Sequence, residues 1–481
     1  MTDAPSPPLA RTPVQLAGLI VGAGAFLAVA LSPPPDGLSQ EGWLVAGLAL
    51  MMIPWWVTEA LPIPATSLTP LIVLPMAGIA PLREVSASYM SPIVVLLMAG
   101  FIIAKAIERW GLHERIALSV VARLGLKPAA LAAGFMVAAA GLSMWISNTA
   151  TALMMTPIAL SVAAAAGGRA ANFRAGLLLA VAYACSIGGL ATPVGSPTNL
   201  IVIGYLADQG VTVSFADWMA LGAPVVVILL PLAWAILALG MRARGPMDAD
   251  EAAVAAQVRD ARAALGRVTE PERRTLMVFA AIAGAWVFGD QLKLLPGLGG
   301  LSDPIVAVAG AVAFFIAPSG AAGARTAPLL DWKTAERIPW GVVLLFGGGL
   351  SLAAAISKTG LAAFAAGMLT GLTGLPEFLL VLSLTVLVLS LTEFTSNVAT
   401  VSALAPVVGA AALATGADLA ALAAPLGLAA SCAFMLPMAT GPNAVAYASG
   451  AVSLGRMART GFAINIVAAL VIATGVTAIG P

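Results

Sequence analysis

The stretch SMWISNTAT at 143–151 sets Ser, Asn and Thr inside a run that otherwise reads as apolar helix, and TEFTSNVAT at 392–400 does the same 249 residues later. Each motif lies near the middle of an apolar stretch, about 128–167 and about 376–413. A helix that crosses a bilayer needs about 20 mostly apolar residues. Each stretch therefore fits either a pair of full spans or a re-entrant hairpin whose tip stops inside the membrane. Which of these holds decides the fold.

The surrounding chain is equally apolar. Of its 481 residues 60% are hydrophobic and only 9% charged, with a mean hydropathy of +1.00. Soluble domains carry about 25% charged residues, so this surface faces lipid and the protein is an all-α polytopic membrane protein. The net charge of +1 gives no footing for a nucleic-acid partner. Cys185 and Cys432 both sit in apolar runs and read as small buried hydrophobes, which leaves neither a disulfide framework nor a metal site. The first apolar run is long enough to span, so no cleavable signal peptide is expected.

Ordinary spans are expected near 14–31, 42–59, 61–79, 92–109, 175–204, 218–240, 275–292, 302–318, 340–357, 420–450 and 459–479, about eleven in all, with two re-entrant helical hairpins at 128–167 and 376–413. Lys and Arg accumulate on the cytoplasmic side. With the amino terminus inside, 20 of the 23 basic residues fall there, among them Lys105, Arg109, Arg115, Arg169, Arg242, Arg244 and Arg337; only Arg83, Lys293 and Lys358 fall outside. Two full spans per stretch would give the same parity, so sidedness follows without deciding re-entrance. The expected location is the inner (plasma) membrane, multi-pass, with a cytoplasmic amino terminus and an outside carboxyl terminus. The polar segment 241–274 reads as a cytoplasmic linker between repeats at 1–240 and 275–481.

The two halves repeat in order. SPIVVLLMAG at 91–100 answers IPWGVVLLFGGG at 338–349, AIERWGL at 106–112 answers AISKTGL at 355–361, and ATPVGSPTNL at 191–200 answers PMATGPNAV at 437–445. By the charge count the first AIERWGL leads to the cytoplasm and its mate leads outside, so the repeats are inverted. Inverted repeats with interrupted helices mark secondary transporters that bind near the midplane.

Gly and Pro in TPVGSPTN and MATGPN cannot continue a helix. A break exposes N–H groups at one new end and C=O groups at the other, tolerable in hydrocarbon only where protein, water or ligand satisfies them. The N–H groups attract anions, while carbonyl, Ser and Asn oxygens suit a bare hard cation. Small polar residues also serve as plain packing glue in membrane helices, but four paired segments exceed that need. None of the four contains Lys or Arg, so a dianion held there is expected to lack a basic side chain. Either water stays with it or cations enter with it.

These motifs, with WWVTEALPIPATSL at 55–68, GLHERIAL at 111–118 and SCAFMLPMATGPNAVAYASG at 431–450, resemble the divalent anion/sodium symporter family through most of the chain. The resemblance implies two sodium sites as the coupling ions, with no other cofactor. The first would use Ser143, Ser147, Asn148 and the backbone of Gly195, and the second Thr392, Thr395, Asn397 and Ala439. It further implies carboxylate contacts from Asn148, Thr149 and Asn397, with Ser196, Pro197, Thr440, Gly441 and Pro442 as a floor, and Val398 in place of the Thr that many relatives carry. Family members are homodimers that move a transport domain past a scaffold, an elevator mechanism.

The function expected is import of C4-dicarboxylates such as succinate, malate or fumarate coupled to sodium. The alternatives are a sodium-independent dicarboxylate exchanger or a sulfate or citrate carrier. An enzyme is disfavoured, because the sequence offers no nucleophile–base pair. His113 reads as an interfacial structural residue in competition with a proton-coupling role. Glu393 reads as a buried structural acid in competition with a role near a cation, and Glu59 as architectural. Trp55, Trp56 and Trp110 suit the membrane interface.

Overall fold

A computed structural model describes residues 11–124, 127–165, 171–242, 251–368 and 374–479. Arg169, Arg244 and the end of the first expected hairpin at 166–167 lie outside the described residues, as does 243–250 of the expected linker. The described chain is helical throughout, with only isolated bridges near 318–328.

Both Ser-Asn stretches are hairpins. Pro128–Ser143 turns at 144–147 into Asn148–Ala165, and Glu377–Thr392 turns at 393–396 into Asn397–Thr415. Their arms run 16 to 19 residues. The expected spans 175–204 and 420–450 are each interrupted, as Ala171–Gly188 with Pro197–Asp208 and as Leu419–Ala430 with Gly441–Ala448. Pro at the first or second position of each second half has no N–H to lose there.

Helix lengths differ from a uniform set of spans. Six described helices are individually long and apolar enough to cross a membrane, or seven when Leu82–Ser88 and Pro92–Arg109, bent by 42°, count together. The expected span at 61–79 is instead two short helices, Ile63–Thr66 and Pro70–Met76. Pro62 and Pro64 sit at the start of that stretch, where a helix's first N–H groups are unused, but Pro70 and Pro75 each remove an N–H that a continuous helix would use.

Repeat-related helices run antiparallel. Arg109, at the end of Pro92–Arg109, pairs with Asp331 at 2.5 Å, and Trp110 Nε1 donates to the Leu329 carbonyl at 2.7 Å, just ahead of the mate helix Trp340–Lys358. At the other end Lys358 pairs with Glu84 at 2.8 Å and Ser351 Oγ donates to the Val85 carbonyl at 3.2 Å. The halves also interlock. Gly441–Ala448 packs on the first hairpin's Asn148–Ala165, and Pro197–Asp208 on the second hairpin's Asn397–Thr415.

Small residues make the close crossings possible. A Cβ on Gly188 would run into the backbone of Ala140 in the first hairpin. Buried apolar side chains form two clusters. A large one unites both hairpins with the broken helices, and a smaller one joins Val45, Leu48 and Met52 to Leu345, Leu352 and Ile356.

The amphipathic helix Leu112–Leu124 connects Pro92–Arg109 to the first hairpin. Its Arg115 donates to both Glu272 oxygens (2.8 and 3.1 Å) and to the carbonyls of Leu265, Gly266 and Arg267. Glu272 also closes a capping box with Thr269 at the start of Glu270–Val287. Both partners are largely buried, so losing one strands the other's charge. Arg115→Ala is therefore expected to cost about 3 kcal/mol, read as a lowered thermal midpoint in detergent. Arg273→Ala, which removes a more exposed ion pair with Glu270, is expected to leave the midpoint within error.

Candidate functional site

The two breaks are held open by the same device. Asn199 Nδ2 donates to the carbonyls of Gly189 and Thr192, both at 2.9 Å, and Asn443 Nδ2 donates to those of Ala433 and Leu436, both at 3.0 Å. Each asparagine thus ties carbonyls ten and seven residues upstream, and each is fully buried. Thr192 Oγ1 accepts from the Gly195 N–H at 3.0 Å and Thr440 Oγ1 from the Asn443 N–H at 3.3 Å. Where the broken helices cross, Ser196, Thr198 and Ser431 close a triangle of hydroxyl contacts at 2.8–2.9 Å.

The hairpin tips meet these breaks in matching pairs. Ser143 Oγ touches the Asn148 side-chain amide and donates to the Cys185 carbonyl at 2.7 Å. Thr392 Oγ1 donates to Asn397 Oδ1 at 2.7 Å and reaches the Ala430 carbonyl at 3.1 Å. The end of the Asn148 amide that meets Ser143 also faces the carbonyls of Cys185 and Gly195, at 3.2 and 3.1 Å. With oxygens alone around it, that end is satisfied either as Nδ2 donating to both carbonyls or as Oδ1 sharing a cation with them. A Cβ on Gly189 would collide with this amide, so the glycine keeps the cluster tight.

The expected residues divide accordingly. Ser143, Asn148 and Gly195 converge, and so do Thr392 and Asn397. The hydroxyls of Ser147 and Thr395 are engaged elsewhere. Ser147 Oγ faces the Ala150 N–H at 3.5 Å, while Thr395 Oγ1 donates to the Leu391 carbonyl at 2.9 Å and meets Thr400 Oγ1 at 2.5 Å. Ala439 is buried beside Thr440 at the second break. The carbonyls of Cys185 and Ala430 were not anticipated, because a backbone oxygen leaves no trace in residue type.

All nine expected substrate contacts (Asn148, Thr149, Ser196, Pro197, Asn397, Val398, Thr440, Gly441 and Pro442) line one cavity of about 480 Å³. Asn397–Thr415 and Pro197–Asp208 both begin at this cavity without a side-chain cap on their first N–H groups, an arrangement that favours an anion. Thr149 and Gly441 touch so closely that a Cβ on the glycine would clash with the Thr149 side chain.

One expectation is corrected. Although the polar segments carry no basic residue, Lys105 and Arg337, together with Glu108, line the same cavity from Pro92–Arg109 and from the turn ahead of Trp340–Lys358. A second cavity of about 520 Å³ reaches the other flank of the second tip and is bordered by Glu59, whose φ of 49° is the one left-handed non-glycine conformation among the described residues.

Glu393 is spent on structure. Its carboxylate accepts from the backbone N–H of Phe434, Met435 and Leu436 at 2.9–3.1 Å and from Asn465 Nδ2 at 2.7 Å. In the first repeat the residue at that place is Met144, whose carbonyl accepts from Thr192 Oγ1. His113 is buried, and burial pushes its pKa below the usual histidine value despite nearby Glu114 and Glu108, which favours the neutral ring.

Helical hairpins, broken helices and a polar cavity between them are the parts of a membrane transporter. The chain belongs to the family described as the sodium:sulfate symporter transmembrane region, whose model matches residues 14–479. It is 37% identical over 475 residues to the sodium-dependent dicarboxylate transporter SdcS of Staphylococcus saprophyticus, spanning 95% of this chain and 90% of that one. SdcS of Staphylococcus aureus is 37% identical over 470 residues, spanning the same shares of the two chains, 95% and 90%. Among solved structures, the YdaH transporter of Alcanivorax borkumensis shares the fold, with a TM-score of 0.56 at 15% identity over 92% of this chain and 100% of that one.

Two outcomes follow from this geometry. Glu393→Gln turns an NH2 toward backbone N–H donors and is expected to lower the thermal midpoint and to speed amide exchange across 434–436, since each stranded group costs about 1–3 kcal/mol. His113→Gln is expected to leave the pH profile of transport between about 7 and 8 unchanged, above the ordinary titration range of an imidazole and further above that of a depressed one; a profile flattened by the substitution would assign the ring a proton-coupling role.

Proposed function

We propose that this protein imports C4-dicarboxylates such as succinate, malate or fumarate, coupled to sodium. The observation that carries the reading is a pair of oxygen clusters flanking a cavity into which uncapped helix starts open. One cluster joins Ser143 and Asn148 to the carbonyls of Cys185 and Gly195, and the other joins Thr392 and Asn397 to the carbonyl of Ala430. Hard-oxygen clusters of hydroxyl, amide and carbonyl groups match an alkali cation, and helix starts without side-chain caps favour carboxylates. The relatives named as sodium-dependent dicarboxylate transporters support both halves.

In this reading sodium occupies both clusters, and its charge neutralises a dianion resting between them. Asn148 and Asn397 serve twice, giving amide oxygen to the cation and amide N–H to the carboxylate. Ser147 and Thr395 act through their positions at the tips. If three sodium ions accompany each dianion, one net positive charge enters. A potential of about 100 mV then contributes roughly 2.3 kcal/mol per cycle.

The movement proposed is of the elevator kind in a homodimer. The larger buried cluster takes in the hairpins and broken helices together with Pro92–Arg109 and one face of Trp340–Lys358, and the smaller cluster joins the amino-terminal helices to the other face of that helix. Opposite ends of repeat-related helices lie together, which supports two inverted repeats at 1–240 and 275–481 joined by the segment 241–274. The proposed placement is the plasma membrane, with the amino terminus in the cytoplasm and the carboxyl terminus outside.

Purified protein in proteoliposomes tests this. Labelled succinate is expected to accumulate only under an inward sodium gradient, and uptake that ignores sodium would sink the coupling. Asn148→Ala and Asn397→Ala are each expected to abolish uptake while the dimer elutes unchanged. Ser143→Ala and Thr392→Val are expected to raise the half-saturating sodium concentration about tenfold, equivalent to roughly 1.4 kcal/mol.

A further inference from the structure

The cavity that holds the nine proposed substrate contacts has a second, differently charged wall. Lys105 and Glu108 project into it from Pro92–Arg109, one turn apart, with Lys105 Nζ on Glu108 Oε2 at 2.6 Å. Arg337 joins them from the turn before Trp340–Lys358. Arg337 is exposed, so it stands at the open edge of the cavity, and it forms no ion pair among the described residues. Neighbouring charges are committed elsewhere or stand apart: Arg109 is bound to Asp331, and Glu336 does not line the cavity. Lys105, Glu108 and Arg337 therefore leave this wall with one net positive charge.

The repeat makes that charge informative. The helix related to Pro92–Arg109 carries Ala354 and Ser357 where the first carries Lys105 and Glu108, and the place of Arg337 is taken near Ser88 and Tyr89. Symmetry alone would not put basic groups here. Neither Lys105 nor Arg337 has a basic counterpart at its related position, so the charge belongs to one side of the cavity only.

The chemistry specifies an occupant. A dianion between the hairpin tips is balanced by cations held in the oxygen clusters. Once it moves toward water it leaves those cations behind while still between apolar walls, Phe101, Ala104, Leu153 and Val342 among them. A positive wall lowers that barrier, since fixed charges in a narrow cleft focus the field on a mobile ion. Resting on the functional reading above, we propose that Arg337 and Lys105 form a second, shallower anion subsite at the cavity rim. A dicarboxylate pauses there between the hairpin tips and the aqueous phase on the cytoplasmic side. Arg337 offers a free guanidinium fork for one carboxylate, and Lys105 turns from Glu108 to the other.

The test compares the two faces of the membrane with labelled succinate. In inside-out vesicles Arg337→Gln is expected to raise the apparent KM about three- to tenfold at low ionic strength, the gap closing in about 0.3 M choline chloride as the field is screened. In right-side-out vesicles the KM, and the half-saturating sodium concentration, are expected to stay at wild-type values. Arg337→Lys is expected to recover much of the loss. A double variant combining Lys105→Gln with Glu108→Gln, which strands no carboxylate, is expected to raise the inside-out KM in the same direction. An unchanged inside-out KM in both the Arg337→Gln and the double variant overturns the subsite. So does an equal rise at both faces, which would place these residues at the central site. Wild-type vesicles that move no succinate from either face overturn the functional reading itself, and with it the occupant named here; that outcome is seen before any variant is made.

Discussion

Backbone groups freed inside a bilayer must find partners, and this constraint organises the whole molecule. Two helices are interrupted deep in the core, at 189–196 and 431–440. Hydrocarbon offers those N–H and C=O groups nothing, so each break survives only as part of a closed network. Asn199 and Asn443 supply it from within their own repeats, and the hairpin tips supply the rest through Ser143 and Thr392. Removing the hairpins would leave the breaks untenable, and removing the breaks would leave the tips with nothing to face. The polar cavity follows from satisfying the chain.

The two repeats solve one problem with different chemistry. In the second, a buried carboxylate gathers the loop N–H groups; in the first, a threonine hydroxyl binds the tip carbonyl of Met144. Glu393 thereby places an acidic side chain beside one oxygen cluster and none beside the other. The clusters are related by geometry but differ in chemistry. The same holds for the arms: only the first carries Lys105 and Glu108 into the cavity. The related segments of the two halves look alike, and the substitutions between them make the two sides of the cavity chemically different.

Much of the architecture was legible in residue order. The paired Ser-Asn motifs marked the tips, Gly and Pro in TPVGSPTN and MATGPN marked the breaks, and the offset between halves marked the repeat. The reading of 61–79 as one unbroken helix missed the turn at 67–69, because hydropathy counts Pro as tolerable while the backbone does not. The absence of basic residues from four local segments was likewise read as their absence from the site. Lys105 lies about 40 residues before the first tip and Arg337 about 60 before the second, and nothing local connects them with either.

What the sequence determined by itself was the medium, the periodic hydrophobicity, the positions of the tips and breaks, and the side-chain amides and hydroxyls at those positions. These are local properties, fixed by residue type and by which residues cannot continue a helix. Only the tertiary structure decided which backbone carbonyls join them, that Asn199 and Asn443 brace loops, that Glu393 is consumed by N–H donors, and that a positive wall faces the cavity. Each of these is a meeting of segments far apart in the chain. Carbonyl oxygens are common to every residue and long side chains reach wherever packing directs them, so such meetings carry no signature in the order of amino acids.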